Sequence, residues 1–131
     1  AVAKARGAKR AVELAVSAPF HCALMAPAAD GLTHVLAAVS VSPLTVPVIA
    51  NVTAEKNQDP LRVKNLLVQQ VTAPVRWEES MAQLKSLGCE AVIEVGPGKV
   101  LAGLLKRIVP DLPCVSVSDP VTLADVAEVL T

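Results

Sequence analysis

Residues 91–108, Ala91-Val92-Ile93-Glu94-Val95-Gly96-Pro97-Gly98-Lys99-Val100-Leu101-Ala102-Gly103-Leu104-Leu105-Lys106-Arg107-Ile108, read as a buried strand over Ala91 to Val95, a glycine-rich turn and a helix over Lys99 to Ile108. The β-branched run is too short for a helix, and the Gly-Pro-Gly break separates it from residues whose apolar positions recur at helical spacing. Pro110 ends the helix, Cys114 to Val117 makes another short strand, and Thr122 to Leu130 makes a terminal helix. A helix between two strands carries the chain back to its starting edge, so this alternation predicts a parallel α/β sheet. Free N–H groups at the helix start give the turn an anion-accepting shape. It is not a phosphate loop, because Val100 stands where Ser or Thr would bind magnesium and the GxGxxG spacing is absent. Its main use is close packing of helix on strand.

Working back from there, Trp77, Met81 and Leu84 form one face of a helix that closes at Gly88, with Glu78, Glu79 and Lys85 on the other face. The paired carboxylates solvate a helix start. A helix from about Pro60 to Val71 has Asp59 as its N-cap and Pro60 in its first position. Its stripe Val63, Leu66 and Leu67 continues onto Gln70, a polar amide that needs a partner. Thr53 to Asp59 reads as a loop, and Leu44 to Ala50 as a short strand that Pro47 places at an edge. Further back, Met25, Ala28, Leu32, Leu36 and Val39 mark a helix of about four to five turns, with Pro27 in its first turn and His34 beside Asp30 on the outer face. Ala11 to Ser17 reads as a strand stopped by Pro19, and Ala1 to Ala5 as a helix ending at Gly7.

The chain has 131 residues, 53% of them hydrophobic, ample for a core. Twelve basic residues balance twelve acidic ones, Tyr is absent, and Phe and Trp occur once each, so a nucleic-acid-binding face is not expected. Apolar runs are interrupted before about 18 residues, so no membrane span is expected either. The opening AVAKARGAKR has no initiator methionine or secretory pattern, and the chain is expected to start mid-protein. Cys22, Cys89 and Cys114 form no CxxC pair and fit reduced structural thiols in the cytoplasm.

Three residues stand out chemically. His21 lies where an extended segment gives way to a helix, and the positive end of the helix dipole disfavours a second positive charge on the ring, keeping it able to accept a proton. The same position also suits a histidine that only hydrogen-bonds at a helix start. Asn51 follows a strand directly, where it either orients a neighbouring group or makes a turn. Gln70 either meets a functional partner or bonds a nearby carbonyl at the helix end. Asn51-Val52-Thr53 matches a glycosylation sequon, which carries little weight without a secretory signal.

Four motifs in register, Val16-Ser17-Ala18-Pro19-Phe20-His21-Cys22-Ala23-Leu24-Met25, Pro47-Val48 leading to Asn51-Val52, Gln70 before Pro74-Val75 and Trp77, and Glu94-Val95-Gly96-Pro97-Gly98-Lys99-Val100-Leu101, closely resemble the malonyl-CoA:acyl carrier protein transacylases of bacterial fatty acid synthesis. The resemblance runs along nearly the whole chain. It implies the C-terminal portion of a parallel-sheet α/β hydrolase-like core over residues 18–131, preceded over 1–17 by the last helix and strand of a small ferredoxin-like subdomain. It also implies a two-step transfer: a serine takes malonyl from coenzyme A and passes it to the phosphopantetheine thiol of acyl carrier protein, without a cofactor. His21 matches the histidine that activates the serine and protonates the departing thiolate, with Asn51 a weaker supporting candidate. Gln70 matches a glutamine whose backbone carbonyl holds that histidine. Phe20 resembles the malonyl-selecting form of this segment in polyketide synthase acyltransferases. The family's Gly-His-Ser-x-Gly turn does not occur here, and none of Arg10, Arg62, Arg76 or Arg107 lies in the context of its carboxylate-binding arginine. The expectation is therefore a piece of a transferase, inactive alone. Alternatives are a noncatalytic fragment that binds an acidic carrier protein through Lys99, Lys106 and Arg107, or an acyltransferase domain of a polyketide synthase.

Overall fold

The computed structural model describes residues 2–12 and 18–129. Residues 13–17, most of the expected first strand, lie outside the described residues, and Ala11 and Val12 belong to no element. A short helix α1 (Val2–Ala5) opens the chain, with Gly7 at a φ of 91° just beyond it. A 3-10 turn over Ala23–Met25 leads directly into α2 (Ala26–Ala37), which carries Pro27 in its first turn. Ala29 is the buried residue of α2, while Ala28 and Val39, expected on the inner stripe, are exposed. Val39 lies beyond the end of the helix, and Met25, Leu32 and Leu36 of the expected stripe are half-buried.

Strand β1 (Val48–Ala50) is shorter than the expected 44–50, since Thr45 and Val46 bend ahead of Pro47. It pairs antiparallel with β2 (Glu55–Asn57), in the register Val48 to Asn57 and Ala50 to Glu55. This corrects the reading of 53–59 as a loop. The polar run Glu-Lys-Asn gives no strand signal of its own, and the tight turn over 51–54 creates the pairing. Ala54 is buried there at a φ of 55°, and its N–H donates to the Ala50 carbonyl at 2.7 Å.

Helix α3 (Pro60–Thr72) starts as expected, the Asp59 carboxylate accepting from the Leu61 N–H at 2.9 Å. It packs on α2 and on the 3-10 turn. Helix α4 (Trp77–Ser86) puts Met81 inward, flanked by Trp77 and Leu84. Strand β3 (Val92–Val95), helix α5 (Val100–Ile108) and strand β4 (Cys114–Val117) form the expected unit, and β3 and β4 pair in parallel from Val92 to Cys114 through Val95 to Val117. Met81, Leu105, Val109 and Leu112 make the core beneath them. Helix α6 (Ala124–Val129) rests on β4.

Candidate functional site

His21 occupies the exposed turn that joins residues 18–20 to the 3-10 turn, two residues short of its first helical position. Its φ is 58°, in the left-handed region that residues with a Cβ seldom adopt. Such a conformation persists where its surroundings hold it, and it is more frequent at functional sites than elsewhere. One such hold is visible: Nδ1 of His21 lies 3.0 Å from the backbone carbonyl oxygen of Gln70, across a sequence separation of 49 residues. A carbonyl oxygen only accepts, so Nδ1 carries a proton, and in the neutral ring the lone pair then belongs to Nε2. Packing of the 3-10 turn on α3 brings the two residues together. The main-chain oxygen of Gln70 makes this contact, and the residue also lines a cavity of about 480 Å³.

Asn51 lines the same cavity from the turn after β1, together with Ile49, Asn57, Val63 and Leu66. The walls are mainly apolar, and Asn51 and Gln70 are among the few polar residues on them. The structure thus joins His21 to Gln70 directly and Asn51 to Gln70 through a shared cavity. Phe20 is 59% exposed beside His21 and donates its N–H to the Ala18 carbonyl at 3.0 Å. Next to His21 on the other side, the Cys22 thiol donates to the Pro19 carbonyl at 3.1 Å, closing the turn locally.

Arg76 is a residue whose reach the sequence does not announce. Its Nη1 donates to the Thr53 carbonyl at 2.7 Å while Nη2 pairs with Glu79, so one guanidinium ties the Asn51 turn to the start of α4. The hydrogen bond to Glu79 strengthens its hold on its proton.

The expected anion-accepting shape at α5 is already filled. The Glu94 carboxylate accepts from the Leu101 N–H at 2.9 Å, the Ala102 N–H at 3.1 Å and the Ser116 hydroxyl at 2.9 Å. Gly96 and Gly98, at φ of 136° and 95°, allow the turn that folds α5 back over this carboxylate. Burial pushes the Cys114 thiol up, assisted by the Glu94 charge, so it stays protonated and serves packing. Cys89, read with the others as a structural thiol, is exposed. Among the described residues no three His, Cys, Asp or Glu side chains gather as a metal site would require. No helix among them is long and apolar enough to cross a membrane.

No family model matches the chain. It is 47% identical over 122 residues to a malonyl CoA-acyl carrier protein transacylase of Bacillus subtilis, covering 93% of this chain and 38% of the relative. Among solved structures, an acyl-carrier-protein S-malonyltransferase of Burkholderia pseudomallei is similar with a TM-score of 0.90 and 46% identity, over 97% of this chain and 41% of that one. A malonyl-transacylase solved in complex with a type II PKS acyl-carrier protein is similar at a TM-score of 0.89 and 44% identity, over 95% of this chain and 40% of that one. The chain spans well under half the length of these relatives and matches their C-terminal part.

Proposed function

The chain belongs to the family of malonyl-CoA:acyl carrier protein transacylases, and on that premise we propose that it is the histidine-bearing part of an enzyme that moves malonyl from coenzyme A to the phosphopantetheine thiol of acyl carrier protein in fatty acid synthesis. The hydrogen bond from His21 Nδ1 to the Gln70 carbonyl is the observation that carries this reading. It leaves Nε2 as the acceptor. In the first half-reaction Nε2 takes the proton of a serine hydroxyl as the oxygen attacks the malonyl thioester carbon. The resulting imidazolium then gives that proton to the departing coenzyme A thiolate. The second half-reaction runs in reverse order: His21 takes the proton of the carrier's thiol, the thiolate attacks the malonyl-serine ester, and the proton returns to the serine oxygen. The Gln70 carbonyl stabilises the transient imidazolium through Nδ1–H. The nucleophilic serine and the arginine that pairs with the malonyl carboxylate are supplied by the part of the transacylase outside this chain.

Asn51 supports the site from the cavity rim, and the ring of Phe20 narrows the space beside His21 against branched acyl groups. Residues 1–17 close a small ferredoxin-like subdomain and 18–131 form the C-terminal part of the α/β acyltransferase core. Malonyl-CoA brings an activated thioester and the carrier a free thiol, so the transfer needs no cofactor, and the reaction belongs in the cytoplasm. Lys99, Lys106 and Arg107, exposed around α5, supply positive charge toward an acidic carrier. Likeness to a transacylase solved with a type II PKS carrier favours a second reading of the acceptor alone, a polyketide carrier.

Intact-mass measurement of the whole transacylase carrying this segment, with malonyl-CoA and then with each carrier, tests the proposal. One malonyl group should load and pass to a carrier, and His21→Ala should slow loading by about 10²- to 10⁴-fold. Loading at an unchanged rate in that variant would overturn the role of His21.

A further inference from the structure

In an α-helix the carbonyl of Gln70 would accept from the N–H four residues on, and that residue is Pro74, which has none. Helix α3 stops at Thr72, and Ala73 is extended at a φ of −99° and a ψ of 152°, the geometry favoured before proline. The carbonyls of this last turn therefore find other partners: that of Gln69 takes the Thr72 hydroxyl at 3.4 Å, and that of Gln70 takes His21 Nδ1–H at 3.0 Å. We propose that Pro74 is a positioning residue for His21. It withholds the one N–H that a continued helix would aim at the Gln70 oxygen, and its ring would clash with that oxygen if the helix went on. The oxygen stays open to the imidazole and selects the Nδ1–H tautomer, with Nε2 free to accept a proton. The use of that lone pair in acyl transfer rests on the transacylase reading. The tautomer does not.

Long-range ¹H–¹⁵N spectra of ¹⁵N-histidine-labelled whole transacylase, recorded where the imidazole is neutral and assigned with His21→Gln, read the tautomer directly. Wild-type His21 is expected as Nδ1–H. Pro74→Ala restores an N–H in a residue that favours helix, so it should shift His21 toward the Nε2–H form and lower kcat for malonyl loading about fivefold, the worth of one hydrogen bond, with KM unchanged. Pro74→Gly restores the N–H in a residue that resists helix, so it should shift His21 less. An Nε2–H tautomer in the wild type, a wild-type tautomer in Pro74→Ala, or a glycine effect equal to or larger than the alanine effect would each overturn the proposal; the last is what simple loosening of the segment gives. A wild-type enzyme that loads no malonyl would overturn the transacylase reading instead, while the tautomer comparison still tests Pro74.

Discussion

Glu94 places a carboxylate in the seam between β3, α5 and β4, where burial opposes ionisation but the Leu101 N–H, the Ser116 hydroxyl and the Ala102 N–H outweigh it and hold the carboxyl below the ordinary glutamate range. A group that ionises more readily when folded leaves the unfolded chain binding more protons as pH falls. Its stabilisation is thus fully present above the unfolded value of about 4.3 and is lost as pH drops through the folded value. Glu94→Gln keeps the shape and loses the charge. It should lower the melting temperature at neutral pH, and the gap from wild type should narrow below about pH 4. Thermal melts across that range check it, and a gap that does not change with pH would show that the charge contributes nothing. This ligation was hidden in the sequence, where Glu94 is one polar residue in an apolar strand and its partners lie seven, eight and 22 residues away. His21 and Gln70 were more legible, the first from its place before a helix and the second because an amide on an apolar stripe asks for a partner. The stripe suggested a side-chain partner, whereas the contact uses the main chain, as the family resemblance implied and the apolar pattern alone could not. Arg76 had no signature at all, because an arginine at a helix start looks the same whether it meets solvent or a carbonyl 23 residues back.

Helices and strands with an apolar face were readable to within a few residues, as α3, α4, β3, α5 and β4 show. Burial enforces their periodicity, and β4 matches its expected bounds, Cys114–Val117. The hairpin was not readable, since Glu55–Asn57 becomes a strand only through the turn that returns it to β1. Where the parallel unit is concerned, packing converges on Leu105, which is 1% exposed on the inner face of α5 among Met81, Val109 and Leu112. Leu105→Ala would leave a cavity at the point where α4, α5 and the sheet meet. A loss of about 3 kcal/mol is expected, within the range for buried leucines. Denaturant unfolding of the variant in the whole transacylase measures it, and a loss under about 1 kcal/mol would mean that the site relaxes around the missing atoms.

The same 131 residues leave much apolar surface in water. Leu61 is 89% exposed on α3, Val95 81% at the end of β3 and Val100 72% at the start of α5. Single exposed apolar residues are ordinary, but here they sit on elements whose opposite faces already hold the core, and the parallel sheet has only two strands among the described residues. A two-stranded parallel pair presents unpaired N–H and C=O groups on both outer edges, an open template for association. Net charge offers little protection, because twelve basic and twelve acidic residues cancel and the isoelectric point is about 7.0. The chain purified alone near neutral pH should therefore self-associate, and co-expression with the N-terminal part that its longer relatives carry should suppress this by covering those faces. Light scattering at rising concentration, with and without that part, reads the outcome. A sharp, cooperative melt of a monomer would show instead that the exposed valines and leucines are tolerated singly, and that the two small sheets hold together without further strands.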